Sequence, residues 1–142
     1  MDIRRVTDDF SVSPQIAPDD LPALRDQGFT LLINNRPDAE EPGQPTGAQI
    51  AEAARVAGLG YRAIPVAGGF SPPQVQAMAE AIDSAQGPVV AFCRSGTRST
   101  LLWSLAQAIR GGDPDEIAAS AASAGYDISP VRAAVEQLAA TS

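Results

Sequence analysis

The segment of this chain best suited to chemistry is residues 93–99, Cys-Arg-Ser-Gly-Thr-Arg-Ser, which contains the only cysteine, Cys93. An apolar, β-type run ends at Cys93, and a helix-forming stretch begins after Arg98. The free N–H groups and the positive dipole end of such a helix favour negative charge. Arg94 and Arg98 add two permanent cations. The sequence therefore predicts that Cys93 is held as a reactive thiolate and acts as a nucleophile.

Within this loop, Arg98 is predicted to be catalytic together with Cys93, because a guanidinium can hold an oxyanion through two parallel hydrogen bonds. Arg94 is expected to project outward and to contribute its electrostatic field. The loop residues predicted to bind substrate are Arg94, Ser95, Gly96, Thr97 and Ser99. Two other interpretations of Cys93 stay open, namely a buried cysteine that behaves as a small hydrophobic side chain and a non-catalytic anion site. The first of these leaves the arginine-rich loop unexplained.

The elements that must position this loop alternate between strand and helix patterns. This alternation predicts an α/β fold of one domain over residues 1–142, with a mainly parallel central sheet flanked by helices. Residues Phe10–Ile16 are predicted to form a short edge strand, Tyr61–Val66 a second strand, and Ser99–Arg110 the helix behind the cysteine. Capping-box patterns at Thr46 and Ser71 predict the starts of two further helices.

Ligands of such sheets bind beyond the carboxyl ends of the strands. Three segments, Asn34–Arg36, Ala67–Phe70 and Cys93–Ser99, are therefore expected to meet at one crevice. Arg36 is predicted to help hold an anionic substrate, or alternatively to order its own loop through an ion pair, and the second interpretation is slightly favoured. The acidic residues available for that ion pair are Asp38, Glu40 and Glu41.

Composition excludes several kinds of chemistry. The chain has no histidine and one cysteine, so a Cys-His dyad, a Ser-His-Asp triad, a histidine-ligated zinc site and an internal disulfide are impossible within it. No metal or cofactor is expected. Any sulfur chemistry must pass through the single thiol and an external partner.

Net charge and hydropathy indicate the surroundings in which the chain works. The formal net charge of −7 argues against sequence-independent binding to nucleic acid or to an anionic membrane. Residues 1–5 lack the apolar core of a signal peptide, and no run of 18 apolar residues occurs. We therefore expect a cytoplasmic protein whose thiol stays reduced.

The loop and the segments around it resemble two known families. Cys93–Arg98 resembles the Cys-x4-Arg loop of rhodanese sulfurtransferases, in which a serine often follows, as Ser99 does here. Residues 5–110 as a whole are similar to the phosphatase-like domain of beta-lactamase hydrolase-like proteins. The segments that carry this similarity are FSVSPQI (10–16), INNRPD (33–38), EEPGQP (40–45) and YRAIPV (61–66).

This second resemblance implies a tyrosine-phosphatase-like fold, and members of the family are described as phosphatases or as sulfur transferases. In some members the domain is fused to a sulfur dioxygenase, which implies an enzyme of that kind as a partner. Tyrosine phosphatases carry His-Cys-x5-Arg and a separate aspartic acid that protonates the leaving oxygen. Here position 92 is Phe, the loop is one residue shorter, and residues 66–73 contain no acid.

Sulfane transfer needs neither a general acid nor a large anion cradle, so the sequence favours it. The predicted function is a cysteine-dependent sulfurtransferase that moves sulfane sulfur from thiosulfate or glutathione persulfide to an acceptor thiol through a Cys93 persulfide. The alternative is a phosphatase that works through a Cys93 phosphocysteine. A third hypothesis is an oxyanion-binding module without catalysis.

Overall fold

The computed structural model describes residues 1–142 as helices packed on both faces of one five-stranded sheet. The strands are β1 Arg4–Arg5, β2 Phe10–Ser13, β3 Leu31–Asn34, β4 Gly60–Ala63 and β5 Val89–Phe92. Their order across the sheet is β1-β2-β5-β3-β4, with β1 antiparallel to β2 and every other neighbouring pair parallel. The predicted α/β class with a mainly parallel sheet is confirmed.

Six α-helices accompany the sheet. They are α1 Leu21–Asp26, α2 Gly47–Ala57, α3 Pro72–Ser84, α4 Thr97–Ile109, α5 Pro114–Ser123 and α6 Arg132–Ala140. Both predicted capping boxes are confirmed: the Thr46 hydroxyl accepts from the N–H of Gln49, and the Ser71 hydroxyl accepts from that of Gln74. None of the six helices is both long and apolar enough to cross a lipid bilayer.

Both faces of the central strands are buried. In β3, Leu31 and Ile33 pack into a core of 25 buried residues that includes side chains of α3 to α6, whereas Leu32 packs into a second core of ten with α1 and α2. Alternate residues of a strand point to opposite faces, so continuous apolar sequence is what a doubly covered parallel sheet requires. The two cores hold β3 and β5 rigidly at the centre of the sheet.

The predicted position of the first long strand is wrong. The segment expected at the edge, β2, lies between β1 and β5. The edge strand on this side of the sheet is β1, which is two exposed arginines long and pairs Arg4 with Val12. So short and charged a strand lacks the apolar pattern by which a strand is recognised in sequence.

Strand register brings the functional loops to one edge. The last residues of β2, β5 and β3 lie in register with one another; they are Ser13, Phe92 and Asn34. The loops that follow these three strands therefore begin side by side at one edge of the sheet. The predicted strand Tyr61–Val66 ends earlier, at Ala63. The residues that follow stay hydrogen-bonded to the loop after β3, since the N–H of Val66 donates to the carbonyl of Asn35 at 2.9 Å. Val66 is thereby placed beside the loop after β3.

Asn35 provides the clearest test of this arrangement. Its buried side-chain amide donates to the carbonyl of Ile64 at 2.9 Å and ties the two segments together. Replacing Asn35 with alanine should lower the free energy of unfolding by about 1–3 kcal/mol, because the Ile64 carbonyl loses its partner. Urea denaturation measures this loss, with the exposed Gln76→Ala as the control. Equal stability of the two variants would contradict the assignment.

Candidate active site

Cys93 lies directly after β5 and is fully buried. The backbone N–H of Gly96 donates to its Sγ atom at 3.0 Å and so ties the loop to the sulfur. Gly96 has a φ of +89°, in the left-handed region, where a side chain would be strained. A Cβ atom there would also collide with the hydroxyl of Tyr126, so only glycine fits.

The helix after the cysteine begins earlier than the sequence predicts. We expected α4 to start at Ser99, but it starts at Thr97, with Gly96 as its N-terminal flanking residue. The left-handed turn at Gly96 lets the chain enter the helix at once. Arg98 therefore lies in the first turn of α4, which fixes its backbone.

The Arg98 guanidinium is held by two partners from other loops. Its Nη1 and Nη2 atoms donate to the two carboxylate oxygens of Glu40 at 2.7 and 2.8 Å, and Nη1 also donates to the Val66 carbonyl at 2.7 Å. Of its five N–H groups, these bonds engage three. The two that remain, on Nε and Nη2, lie on one edge of the guanidinium, where they can grip two oxygens of an anion together.

Cys93 lies close to this guanidinium. Hydrogen bonding to Glu40 is the main cause that raises the pKa of Arg98, and the nearby Cys93 thiol adds to it as a charge and hydrogen-bond partner. The structure thus brings together the two residues predicted to be catalytic, the thiol and a permanent cation that keeps two N–H groups beyond those bonded to Glu40 and Val66.

Arg36 does not contact an open anion site, contrary to the substrate-binding role predicted for it. Its side chain is 1% exposed, and its donors engage Glu40 at 2.8 Å, Glu41 at 2.9 Å and Gln15 at 3.0 Å. These bonds are the loop-ordering ion pairs that the sequence offered as the alternative. Asp38, the third acid considered, accepts instead from the backbone N–H of Gly47.

Glu40 is the site residue that sequence reasoning missed. An acid at this site was expected within residues 66–73, whereas Glu40 lies in the loop after β3 and was predicted only as a partner of Arg36. Arg98, followed by Arg36, lowers the pKa of Glu40 to about 2, against an ordinary value of 4.5. Arg36 and then Arg94 also lower the pKa of Glu41. Both groups are therefore carboxylates at neutral pH, without a proton to give to a leaving group.

The remaining loop residues differ in exposure. Arg94 projects outward, with 68% of its side chain exposed and its guanidinium 3.7 Å from Glu41. Ser95 and Thr97 are exposed and bond to each other through their hydroxyls at 3.0 Å. Ser99 is fully buried, and its hydroxyl has no hydrogen-bond partner, so it does not lie at an open surface.

Comparison with known proteins shows the family to which this chain belongs. Residues 2–110 match the model of the phosphatase-like domain of beta-lactamase hydrolase-like proteins. The chain belongs to this family. It is 40% identical over 108 residues to the beta-lactamase hydrolase-like protein of Agrobacterium fabrum, a match that covers 75% of the chain but 25% of that protein. The chain thus spans less than a third of the length of such relatives.

Solved structures agree with the family assignment. A proposed phosphatase of Neisseria meningitidis shares 34% identity and superimposes with a TM-score of 0.83, covering 97% of this chain and 99% of its own. P. aeruginosa TpbA in complex with pTyr shares 14% identity, with a TM-score of 0.67 over 99% of this chain and 89% of its own, which shows the fold alone. The phosphatase-like domain therefore has the tyrosine-phosphatase-like fold that the resemblance implied.

The pairing of Glu40 with Arg98 has a pH signature. Since the folded-state pKa of Glu40 lies below its ordinary value, the pair stabilises the fold above pH 4.5, and this stabilisation disappears as the pH falls towards 2. Glu40→Gln should therefore lower the melting temperature at pH 7, and its difference from the wild type should shrink below pH 4.5. Thermal melts between pH 7 and 2 follow this change.

The matched control is Glu80→Gln, on the exposed surface of α3. It should show no such convergence with the wild type. A deficit of Glu40→Gln that stays constant from pH 7 to pH 2 would show that the ionised pair contributes nothing to stability.

Proposed function

We propose that this domain is a cysteine-dependent phosphatase that works through a Cys93 phosphocysteine. The observation that supports it most is the geometry of the Arg98 guanidinium. Glu40 and Val66 hold three of its N–H groups, and the Nε and Nη2 groups on the remaining edge stay available beside Cys93. Two adjacent donors suit two non-bridging oxygens of a phosphate group. The family of the chain and the proposed phosphatase of N. meningitidis support the same reading.

The reaction would run in two displacement steps. The Cys93 thiolate forms an S–P bond while the P–O bond to the leaving group breaks, and the leaving oxygen carries away the electron pair of that bond. Water then attacks phosphorus, the S–P bond breaks, and inorganic phosphate leaves while the thiolate is restored. Arg98 stabilises the equatorial oxygens in both steps. Because Glu40 and Glu41 hold no proton at neutral pH, we expect the best substrates to be esters whose leaving oxygen needs none, such as aryl phosphates.

The same absence of a proton donor supports sulfur transfer as a second candidate function. In that reaction the thiolate attacks the sulfane sulfur of thiosulfate or glutathione persulfide, an S–S bond forms on Cys93, and sulfite or the glutathione thiolate departs. An acceptor thiol then removes the sulfur. A sulfur dioxygenase would be a fitting partner for such a domain. Neither departing group needs protonation, which is the property that suits this site.

Mass spectrometry and turnover together separate the two functions. Incubation with an aryl phosphate followed by acid quenching should leave Cys93 carrying one phosphoryl group, and turnover should decline steeply as the leaving group becomes more basic. Cys93→Ser should abolish turnover, since a serine hydroxyl is not ionised at neutral pH. A Cys93 that gains a sulfur atom from thiosulfate, discharges it to glutathione and turns over no phosphate ester would overturn the phosphatase proposal.

Arg98 and Arg94 form a matched pair for testing the anion grip. Arg98→Lys keeps the charge but loses the two parallel donors, so kcat/KM for an aryl phosphate should fall by about a hundredfold or more. Arg94→Lys should change it only a few-fold, because the Arg94 side chain is largely exposed. Steady-state kinetics of both variants give the comparison. Equal losses would mean that Arg98 does not hold the phosphate.

A further inference from the structure

One peptide group of the active-site loop is hydrogen-bonded at both ends. The Ser95–Gly96 peptide donates its N–H to Cys93 Sγ at 3.0 Å. The carbonyl oxygen of the same peptide accepts from the phenol hydroxyl of Tyr126, also at 3.0 Å. Because a peptide group is planar and rigid, whatever holds the oxygen also fixes the direction of the N–H.

Tyr126 is itself firmly placed. It follows Gly125, whose φ of +93° ends α5, and its own N–H donates to the carbonyl of Ala121 at 3.0 Å. The Arg4 guanidinium lies over its ring, 5.5 Å from the centroid. On the other side, the hydroxyl fills the space that a side chain at Gly96 would need. Tyr126 also lies beyond residues 2–110, the part that the family model matches.

We propose that Tyr126 is a positioning residue for the Cys93 nucleophile. Its O–H polarises the Ser95–Gly96 peptide, and hydrogen bonds in a chain strengthen one another, so the Gly96 N–H becomes a better donor to the thiolate. It also keeps that N–H aimed at the sulfur. This inference rests on the proposed function only in taking Cys93 as the nucleophile, and it holds equally for attack on phosphorus or on sulfur.

The phenol is suited to this task over the working pH range. Partial burial, followed by the charge of Cys93, raises the pKa of Tyr126 above its ordinary value of 10, in spite of the neighbouring Arg4. The hydroxyl therefore keeps its proton at neutral and mildly alkaline pH. A donor that persists across this range can assist the thiolate whenever the thiolate is present.

The test is alkylation of Cys93 by iodoacetamide across pH, which needs no substrate. Tyr126→Phe removes only the hydroxyl and leaves the ring beneath Arg4. We expect the midpoint of the rate–pH profile to move upward by roughly 0.3 to 0.6 pH unit, as a weaker donor stabilises the thiolate less. The control, Tyr61→Phe, removes a half-buried phenol that bonds Asn34 and Gly47 instead, and it should leave the midpoint unchanged.

The midpoint of the rate–pH profile distinguishes a residue that positions the Gly96 N–H from one that only limits access of the reagent to Cys93. If Tyr126 only closed the loop over a buried thiol, its removal would raise the alkylation rate at every pH without moving the midpoint. That result, or a lowered melting temperature with an unmoved midpoint, would overturn the proposal. A shifted midpoint in a protein that hydrolyses no phosphate ester would instead leave this inference standing and reject the phosphatase.

Discussion

The two-point contact between Glu40 and Arg98 is the interaction on which the candidate site depends. It joins the loop after β3 to the first turn of α4, and the Val66 carbonyl adds the loop after β4 to the same guanidinium. An arginine side chain in solution has many rotamers, and holding one of them costs entropy. The hydrogen bonds to Glu40 and Val66 order the Arg98 side chain before any ligand binds. They leave unpaired the edge of the guanidinium that can bind an anion.

Glu40 is in turn held by Arg36, which is buried and bonded to Gln15 and Glu41. Three loops of the sheet edge are thus cross-linked by charge-assisted hydrogen bonds, which are stronger and more directional than neutral ones. The three arginines and two glutamates together leave a net charge of +1 beside Cys93. Such a surplus favours negative charge at this point, on the sulfur or on a bound anion.

Much of this could be predicted from sequence because local rules govern it. The cysteine after an apolar strand, the arginine-rich loop and the capping boxes at Thr46 and Ser71 each depend on residues close together in the chain. The contacts that could not be predicted join residues far apart in the chain. Glu40 and Arg98 are 58 residues apart, and Tyr126 meets Ser95 across 31; no local pattern marks either pair. Alternation cannot distinguish an internal strand from an edge strand either, which is why β2 was misplaced.

The choice between phosphatase and sulfurtransferase likewise depends on residues far from the cysteine loop in the chain. Residues 66–73 contain no acid, but Glu40 and Glu41 reach the site from the loop after β3. The structure supplies those acids in ionised form, so the shortage of protons remains for a different reason. The family match, which rests on the whole of residues 2–110, then favours the phosphatase over the sulfurtransferase that the loop alone suggested.

A crystal structure with vanadate, a phosphate-like oxyanion, tests the central claim most directly. The account predicts the oxyanion beside Cys93 Sγ, bound by Nε and Nη2 of Arg98, while Glu40 keeps its contacts to Nη1 and Nη2. An oxyanion held by Arg94 alone, or one that displaces Glu40 from Arg98, would contradict it.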